Sequence, residues 1–123
     1  MPFKTQSEYK GWYLHVTTTG TLQTVEEVEN YVHSLREQAL RHDTKKVLID
    51  ERGLSDQQDT HDAYEFSESE AAALAALAGI RLSCICHPDN YQLNKTYETL
   101  LLNRSLIFKV FLQEGEALHW LKG

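Results

Sequence analysis

The first third of the chain contains two kinds of hydrophobic pattern. Three apolar side chains alternate with polar ones, in the period of a half-buried strand. They are Trp12, Leu14 and Val16. A shorter strand is predicted before them, over residues 3–8. Thr24 and Glu27 then form a capping box, which marks the start of a helix. An apolar stripe follows, at the three- and four-residue spacing of a helix, to a predicted end near His42. The stripe consists of Val25, Val28, Val32, Leu35 and Ala39.

Continuous apolar runs predict three further strands. Unbroken runs are typical of strands that are covered on both faces, and such strands are usually parallel. The runs lie at residues 46–51, 80–86 and 106–112. Lys109 interrupts the last run, which predicts that this strand lies near an edge of the sheet.

Helical patterns separate these strands. Residues 60–79 predict one kinked helix or two helices, because Ser67 and Glu70 can form a second capping box inside the segment. Asp89 and Gln92 predict the cap of a helix that ends near Asn103, and residues 114–121 predict a closing helix. The order is β-β-α-β-α-β-α-β-α. This order predicts one α/β domain over residues 1–123, a sandwich of two or three layers around a mixed, mostly parallel sheet.

Composition and charge exclude several classes of protein. The 123 residues are 41% hydrophobic and 24% charged, which is typical of a globular domain. The formal charge of −6 argues against binding to nucleic acid or to anionic lipid head groups. No stretch approaches the roughly 20 apolar residues that span a bilayer. Residues 1–10 are polar where a signal peptide needs an apolar core, so we expect a cytoplasmic protein.

Catalytic motifs are missing from the sequence. The glycines are scattered singly, which excludes a phosphate-binding loop, and no Cys-x-x-Cys or His-Glu-x-x-His pattern occurs. We therefore expect no enzymatic activity, no cofactor and no metal site. Cys84 and Cys86 share one face of a predicted strand, but their apolar neighbours favour small core residues. The acidic residues between Asp56 and Glu65 are typical of a first helical turn.

Aromatic side chains are concentrated in the last third of the chain. They are Tyr91, Tyr97, Phe108, Phe111 and Trp120. They can line a pocket for an apolar ligand, or they can form the core under the last two helices, and the second interpretation is favoured. The pair Asn103 and Arg104 can hold an anion, or it can simply end a helix with arginine at the negative end of the dipole.

Several short segments together resemble a known group of proteins. They are Val47-Leu48-Ile49-Asp50-Glu51-Arg52, Asn94, Tyr97-Glu98, Asn103-Arg104, Val110-Phe111 and Glu116-Ala117-Leu118-His119-Trp120-Leu121. On these residues the chain resembles the bacterial SpoIIAA-like family. Its members are small cytoplasmic domains related in fold to STAS domains and to the lipid-binding SEC14 (CRAL-TRIO) domain.

The STAS side of the resemblance implies a regulatory domain that binds a protein partner. Anti-sigma-factor antagonists of that group carry a phosphorylatable serine at the start of a helix after a central strand. The nearest candidate is Ser55, although the chain lacks the Asp-Ser-Ser-Gly pattern and Asp56 and Asp59 would repel a phosphate. A helix-capping role for Ser55, with Gln58, is the favoured alternative. Partner binding without catalysis is the expected function, and a homodimer is compatible with it.

The SEC14 side implies a binder of a small apolar or lipid-like ligand. This is the alternative function, and an enzyme using the region of Asp50, Glu51 and Asp59 is a third. The candidate residues for binding a ligand or a partner are Tyr97, Asn103, Arg104, Phe108, Phe111 and Trp120.

Overall fold

The computed structural model describes residues 2–123, which form five strands and five α-helices. The strands are β1 (Phe3–Tyr9), β2 (Leu14–Leu22), β3 (Lys46–Asp56), β4 (Arg81–Cys86) and β5 (Ile107–Phe111). The helices are α1 (Val25–Arg41), α2 (Thr60–Ser67), α3 (Glu70–Leu77), α4 (Tyr91–Leu102) and α5 (Glu114–Lys122). A short 3₁₀ helix, Pro88–Asn90, leads into α4.

The strands form one sheet in the order β1-β2-β3-β4-β5. β1 pairs with β2 in the antiparallel direction, and the other three pairs are parallel. The sheet is therefore mixed and mostly parallel, as the hydrophobic runs predicted. β5 is an edge strand, which agrees with the position of Lys109. The unpaired edge is partly covered, because the backbone N–H of Val110 donates to the carboxylate of Glu98 on α4 (3.3 Å).

The helices form a layer on each face of the sheet. Helices α1 to α4 contribute to a large core on one face, which we call the helical face. Helix α5 packs on the opposite face, which we call the α5 face, and closes a small core there. The small core consists of Tyr13, Leu48, Ile85, Ala117 and Leu121. The fold is thus a three-layer α/β sandwich. Among residues 2–123, no helix is both long enough and apolar enough to cross a membrane.

The capping predictions for α1 to α3 are confirmed in part. The Thr24–Glu27 capping box is present, and α1 ends at Arg41. The segment after β3 is two helices, but Ser67 is not the cap between them. Ser67 lies inside α2 and donates to the carbonyl of Tyr64 (2.6 Å), while the neighbouring Ser69 caps α3.

Three other local predictions are wrong. Ser55 does not cap a helix, because β3 continues through it and the capping box of α2 is formed by Asp59 and Asp62. The Asp89 side chain does not cap the helix after β4. Instead, Nδ1 of His87 accepts from the backbone N–H of Asp89 (3.0 Å) at the 3₁₀ helix. Trp12 precedes β2 and is 38% exposed, and Tyr13 is buried in its place.

Candidate functional site

A bulge in β3 turns two acidic side chains to the same face of the sheet. Glu51 and Arg52 together lie opposite the single residue Thr18 of β2, where the register of the two strands shifts. An extra residue in a strand reverses the alternation of the side chains beyond it. Glu51 and Asp56 are an odd number of residues apart, so a regular strand would point them to opposite faces. The bulge allows both to face the helices.

These two acids line a cavity between the sheet and helices α1, α2 and α4. Most of its wall is aliphatic or aromatic, and its polar groups come from Tyr31, Glu51, Asp56, Asn94 and Tyr97. The cavity has a volume of about 40 Å³. Since a water molecule needs about 10–15 Å³ by this kind of measure, the space fits about three water-sized groups. Asp56 is the partly exposed member of the polar set, so solvent reaches this end of the cavity.

Glu51 is held by a chain of buried hydrogen bonds. The hydroxyl of Tyr31 donates to Oε2 of Glu51 (2.8 Å) and lies 2.7 Å from the hydroxyl of Thr18. Because Tyr31 has only one hydroxyl proton, Thr18 is the donor to Tyr31. The thiol of Cys84 donates to Oε1 of Glu51 (3.4 Å). Both carboxylate oxygens of Glu51 therefore already have a partner from the protein.

Burial makes both carboxyl groups weak acids. Desolvation raises the pKa of Glu51 to about 7, against a smaller opposing effect of the Tyr31 hydrogen bond. Desolvation also raises the pKa of Asp56 to about 6. The backbone N–H of Gln58, which donates to Oδ1 of Asp56 (3.1 Å), partly offsets that rise. Both groups therefore change charge close to neutral pH.

Tyr97 brings a buried hydroxyl to the same cavity, beside Asp56. Its side chain is only 5% exposed. Burial, then the negative charge of Asp56 and the hydrogen bond of the Tyr97 hydroxyl to that carboxylate, raise the pKa of this phenol well above its ordinary value, so it stays protonated. The same hydrogen bond partly offsets the rise in the pKa of Asp56.

The structure places the predicted aromatic residues on opposite sides of the sheet. Tyr97 and Phe108 line the cavity, and their ring centroids are 6.4 Å apart. Phe111 and Trp120 pack against each other near α5, with centroids 5.9 Å apart. The sheet lies between the two pairs, so these four residues do not form one pocket.

The polar candidates from the sequence lie outside the cavity. Asn103 ends α4, and the guanidinium of Arg104 is paired with the carboxylate of Glu68 at 2.6 Å. This guanidinium already has an anionic partner. Ser55 is exposed in β3, away from a helix start, so the structural reason for a phosphate switch is missing there. Its phosphorylation stays a prediction.

The surroundings of the cysteines and of the acidic stretch do not suit a reactive site. Cys84 and Cys86 are free and buried, and desolvation raises the pKa of both thiols, which makes them poor nucleophiles. Asp59 and Asp62 cap α2 reciprocally. Within residues 2–123, no group of three or more His, Cys, Asp or Glu side chains is placed to hold a metal ion.

Sequence reasoning missed Tyr31 and the orientation of Asp56. Tyr31 lies three residues after Val28 and four before Leu35, so helical spacing places it on the buried stripe. The spacing therefore indicated that Tyr31 is buried, but the predicted stripe included only aliphatic residues. Gly53, an isolated glycine in the strand, is a weak signal of the bulge.

Comparison with known proteins identifies the fold. No protein-family model and no curated protein matches the chain. The structure is similar to that of an uncharacterized protein from the DUF3478 family, with a SpoIIAA-like fold, from Shewanella loihica PV-4. The match has a TM-score of 0.56 and 21% sequence identity, and covers 97% of this chain and 93% of that one. This chain therefore has a SpoIIAA-like fold, as its sequence resemblance predicted.

Proposed function

We propose that this protein is a non-catalytic binding domain that takes a small molecule into the cavity on the helical face. The observation that carries the proposal is the cavity itself, whose mostly apolar wall also carries the polar groups of Tyr31, Glu51, Asp56, Asn94 and Tyr97. Apolar walls with a few convergent polar groups are typical of small-molecule sites. The volume of about 40 Å³ limits the bound part of the ligand to a few non-hydrogen atoms.

Binding is better supported than catalysis. Glu51 has the raised pKa of a candidate general base. Its two oxygens, however, already accept hydrogen bonds from Tyr31 and Cys84, and both hydrogen bonds make the carboxylate a weaker base. The thiols of Cys84 and Cys86 are protonated and buried. Two buried free thiols also support our proposal of a cytoplasmic location.

A screen by NMR tests the proposal. The isotope-labelled protein is titrated with a panel of two- to four-atom alcohols, amides, amines and carboxylates. We expect at least one compound to shift the resonances of Tyr97 and Leu101, which line the cavity. Val32→Ile is the matched control, because the added methyl group occupies the cavity and should abolish that shift. The proposal is wrong if no compound shifts these resonances, or if Val32→Ile responds like the wild type.

Recognition of a protein partner is the second candidate. Exposed leucines favour it: Leu77 is 85% exposed on α3, Leu102 64% and Leu40 55%. A surface that binds a protein needs such side chains to form one contiguous apolar patch of a few hundred Å². Under this proposal the domain is regulatory and a homodimer is one expected assembly. Sedimentation equilibrium of the wild type and of Leu77→Lys tests it. A dimer that Leu77→Lys dissociates supports the proposal, and a wild-type monomer contradicts the homodimer.

A further inference from the structure

We infer that two copies of this chain associate edge to edge through strand β1, with a two-fold axis at Gln6. The pairing joins the two five-stranded sheets into one continuous sheet. β1 is the outer strand of its sheet, and among residues 2–123 no strand pairs with its second edge. The inference concerns a different surface from the cavity and from the exposed leucine of α3, and it does not depend on ligand binding.

The free backbone groups of this edge belong to the odd-numbered residues of β1. The N–H of Lys10 donates to the carbonyl of Tyr13, and the N–H of Thr21 donates to the carbonyl of Pro2, each at 2.9 Å. Lys10 and Pro2 therefore face β2. In an antiparallel ladder such residues alternate with residues whose N–H and C=O point the other way. The residues that point these groups outward are Phe3, Thr5, Ser7 and Tyr9.

This edge is accessible to another strand. Residues 6–9 of β1 are all exposed. Helix α1 packs mainly over β2 and β3 among the strands, so it does not cover the outer edge. At the other side of the sheet, Glu98 partly covers the edge of β5. A regular, uncovered strand of seven residues is a template for pairing with another chain.

Charge complementarity favours a second copy as the occupant. The outward groups of two copies meet only when odd-numbered residues lie opposite odd-numbered ones, so the two-fold axis passes through a residue. With the axis at Gln6, Lys4 of each copy lies opposite Glu8 of the other. This is a non-hydrogen-bonded pair, in which the side chains approach most closely. Both side chains are exposed, and opposite charges at such positions stabilise the pairing.

The other possible axes lack this match. An axis at Lys4 or at Glu8 would place two like charges directly opposite each other. An axis at Ser7 would place Lys4 opposite Lys10, and an axis at Thr5 would leave Lys4 and Glu8 without charged partners. Like charges directly opposite each other destabilise a pair of strands. The sequence of β1 therefore selects one register.

The remaining side chains fit the same register. Phe3 of one copy lies opposite Tyr9 of the other, and Thr5 lies opposite Ser7. Tyr9 is 39% exposed in the single chain, and a facing phenyl ring would cover part of it. Aromatic pairs and pairs of hydroxyl side chains stabilise antiparallel strands.

The charges also limit which partners the edge accepts. A lysine on an edge strand ordinarily discourages pairing with other chains. Here the complementary carboxylate of Glu8 belongs to the same strand, so a second copy satisfies Lys4 where most other strands would not. Glu8 lies 3.1 Å from Lys10 of its own chain. This does not prevent the pairing, because a carboxylate accepts several hydrogen bonds.

Sedimentation equilibrium tests the pairing. We expect the wild type to be a dimer at about 0.1 mM. Lys4→Glu and Glu8→Lys should each weaken association by about tenfold or more, because each places two pairs of like charges in the dimer. The combined variant exchanges the two charges and should restore the dimer. Leu77→Lys is the control on a different surface and should leave the dimer intact.

Cysteine cross-linking tests the register. Gln6→Cys places two thiols across the axis, with Cα atoms about 4.5 Å apart, which a disulfide can span. Lys4→Cys is the matched control on the same face of β1, where the two copies of the thiol would lie about 14 Å apart. We expect mild oxidation to cross-link Gln6→Cys and not Lys4→Cys. Cys84 and Cys86 are buried and should not react.

Several results would overturn the pairing. A wild type that stays monomeric at about 0.1 mM would do so, as would a dimer that Leu77→Lys dissociates or that both single charge reversals leave intact. A combined variant that stays dissociated, or equal cross-linking of the two cysteine variants, would overturn the register. A circular dichroism spectrum checks that each variant folds, which we expect because Lys4, Gln6 and Glu8 are exposed. These outcomes are independent of the NMR screen of the cavity.

Discussion

The acidic side chains on the two faces of strand β3 have pKa values that are shifted in opposite directions. On the helical face, desolvation raises the pKa values of Glu51 and Asp56. On the α5 face, the hydrogen bonds of the Arg52 side chain hold the pKa of Asp50 below its ordinary value. The three residues belong to one strand. Their acidity is thus decided by the surroundings on each face: burial under the helices for Glu51 and Asp56, and the hydrogen-bonded ion pair with Arg52 for Asp50.

The faces also differ in packing. On the α5 face a single helix approaches the sheet through Ala117, whose carbonyl accepts a hydrogen bond from the hydroxyl of Ser83 (2.9 Å). On the helical face three helices surround a cavity lined by the polar groups of Glu51, Asp56 and Tyr97. Close packing by one helix serves stability, whereas an apolar cavity with a few convergent polar groups is the arrangement expected of a binding site.

The largest expected effect is on the α5 face. Leu48 is fully buried in the small core, so Leu48→Ala should lower the free energy of unfolding by about 2–5 kcal/mol. Urea denaturation measures this change. Leu102→Ala is the control. Because Leu102 is 64% exposed, its substitution should lower the free energy of unfolding much less. Equal losses in the two variants would contradict the assignment of a close-packed core here.

The acids of the helical face should make stability depend on pH. The pKa of Glu51 is raised from 4.5 to about 7, so folding takes up a proton between these values. The contribution of Glu51 to stability is fully present below about pH 4.5 and is lost as the pH rises past 7, a fall on the order of 3 kcal/mol. Asp50, with a lowered pKa, stays ionised across this window.

Urea denaturation at pH 5 and pH 8 measures that fall, with Glu51→Gln as the matched variant. We expect the wild type to lose stability between the two pH values and the variant to lose much less, since only the contribution of Asp56 remains. A variant with the same slope as the wild type would show that Glu51 does not titrate in the folded protein as described.

A pair of enlarging substitutions compares the packing of the two faces directly. Val32→Ile adds a methyl group at the cavity and should change stability by less than about 1 kcal/mol. Ala117→Val adds two methyl groups where α5 meets the sheet, and should cost about 1–3 kcal/mol. Thermal unfolding of both variants measures the difference. A larger loss for Val32→Ile would contradict the presence of free space on the helical face.

The smallest effect is expected away from both cores. Arg104→Ala removes an exposed ion pair with Glu68 and should change the free energy of unfolding by less than about 1 kcal/mol. It should also leave binding to the cavity unchanged, which the same NMR titration checks. A loss of binding in this variant would show that Arg104 contributes to the binding site.

Local patterns in the sequence predict much of this structure. The Thr24–Glu27 box and the aliphatic stripe of α1 predict that helix, because capping and helical spacing are short-range properties. The apolar run at Val47 to Ile49 predicts a strand covered on both faces. Boundaries were less predictable, since β3 continues to Asp56, past the predicted end of the strand at residue 51.

The candidate site was decided by tertiary structure. The sequence determined the strands and the helices, because each depends on residues close together in the chain, and the alternation of strands with helices indicated a mostly parallel sheet. It did not determine which face Asp56 occupies, because that depends on a bulge opposite Thr18 in another strand. It also did not determine that Tyr31, Glu51 and Tyr97 meet around one cavity. These residues are far apart in the sequence and come together only because α1 and α4 pack on the same face of the sheet. Such packing is a property of the whole fold.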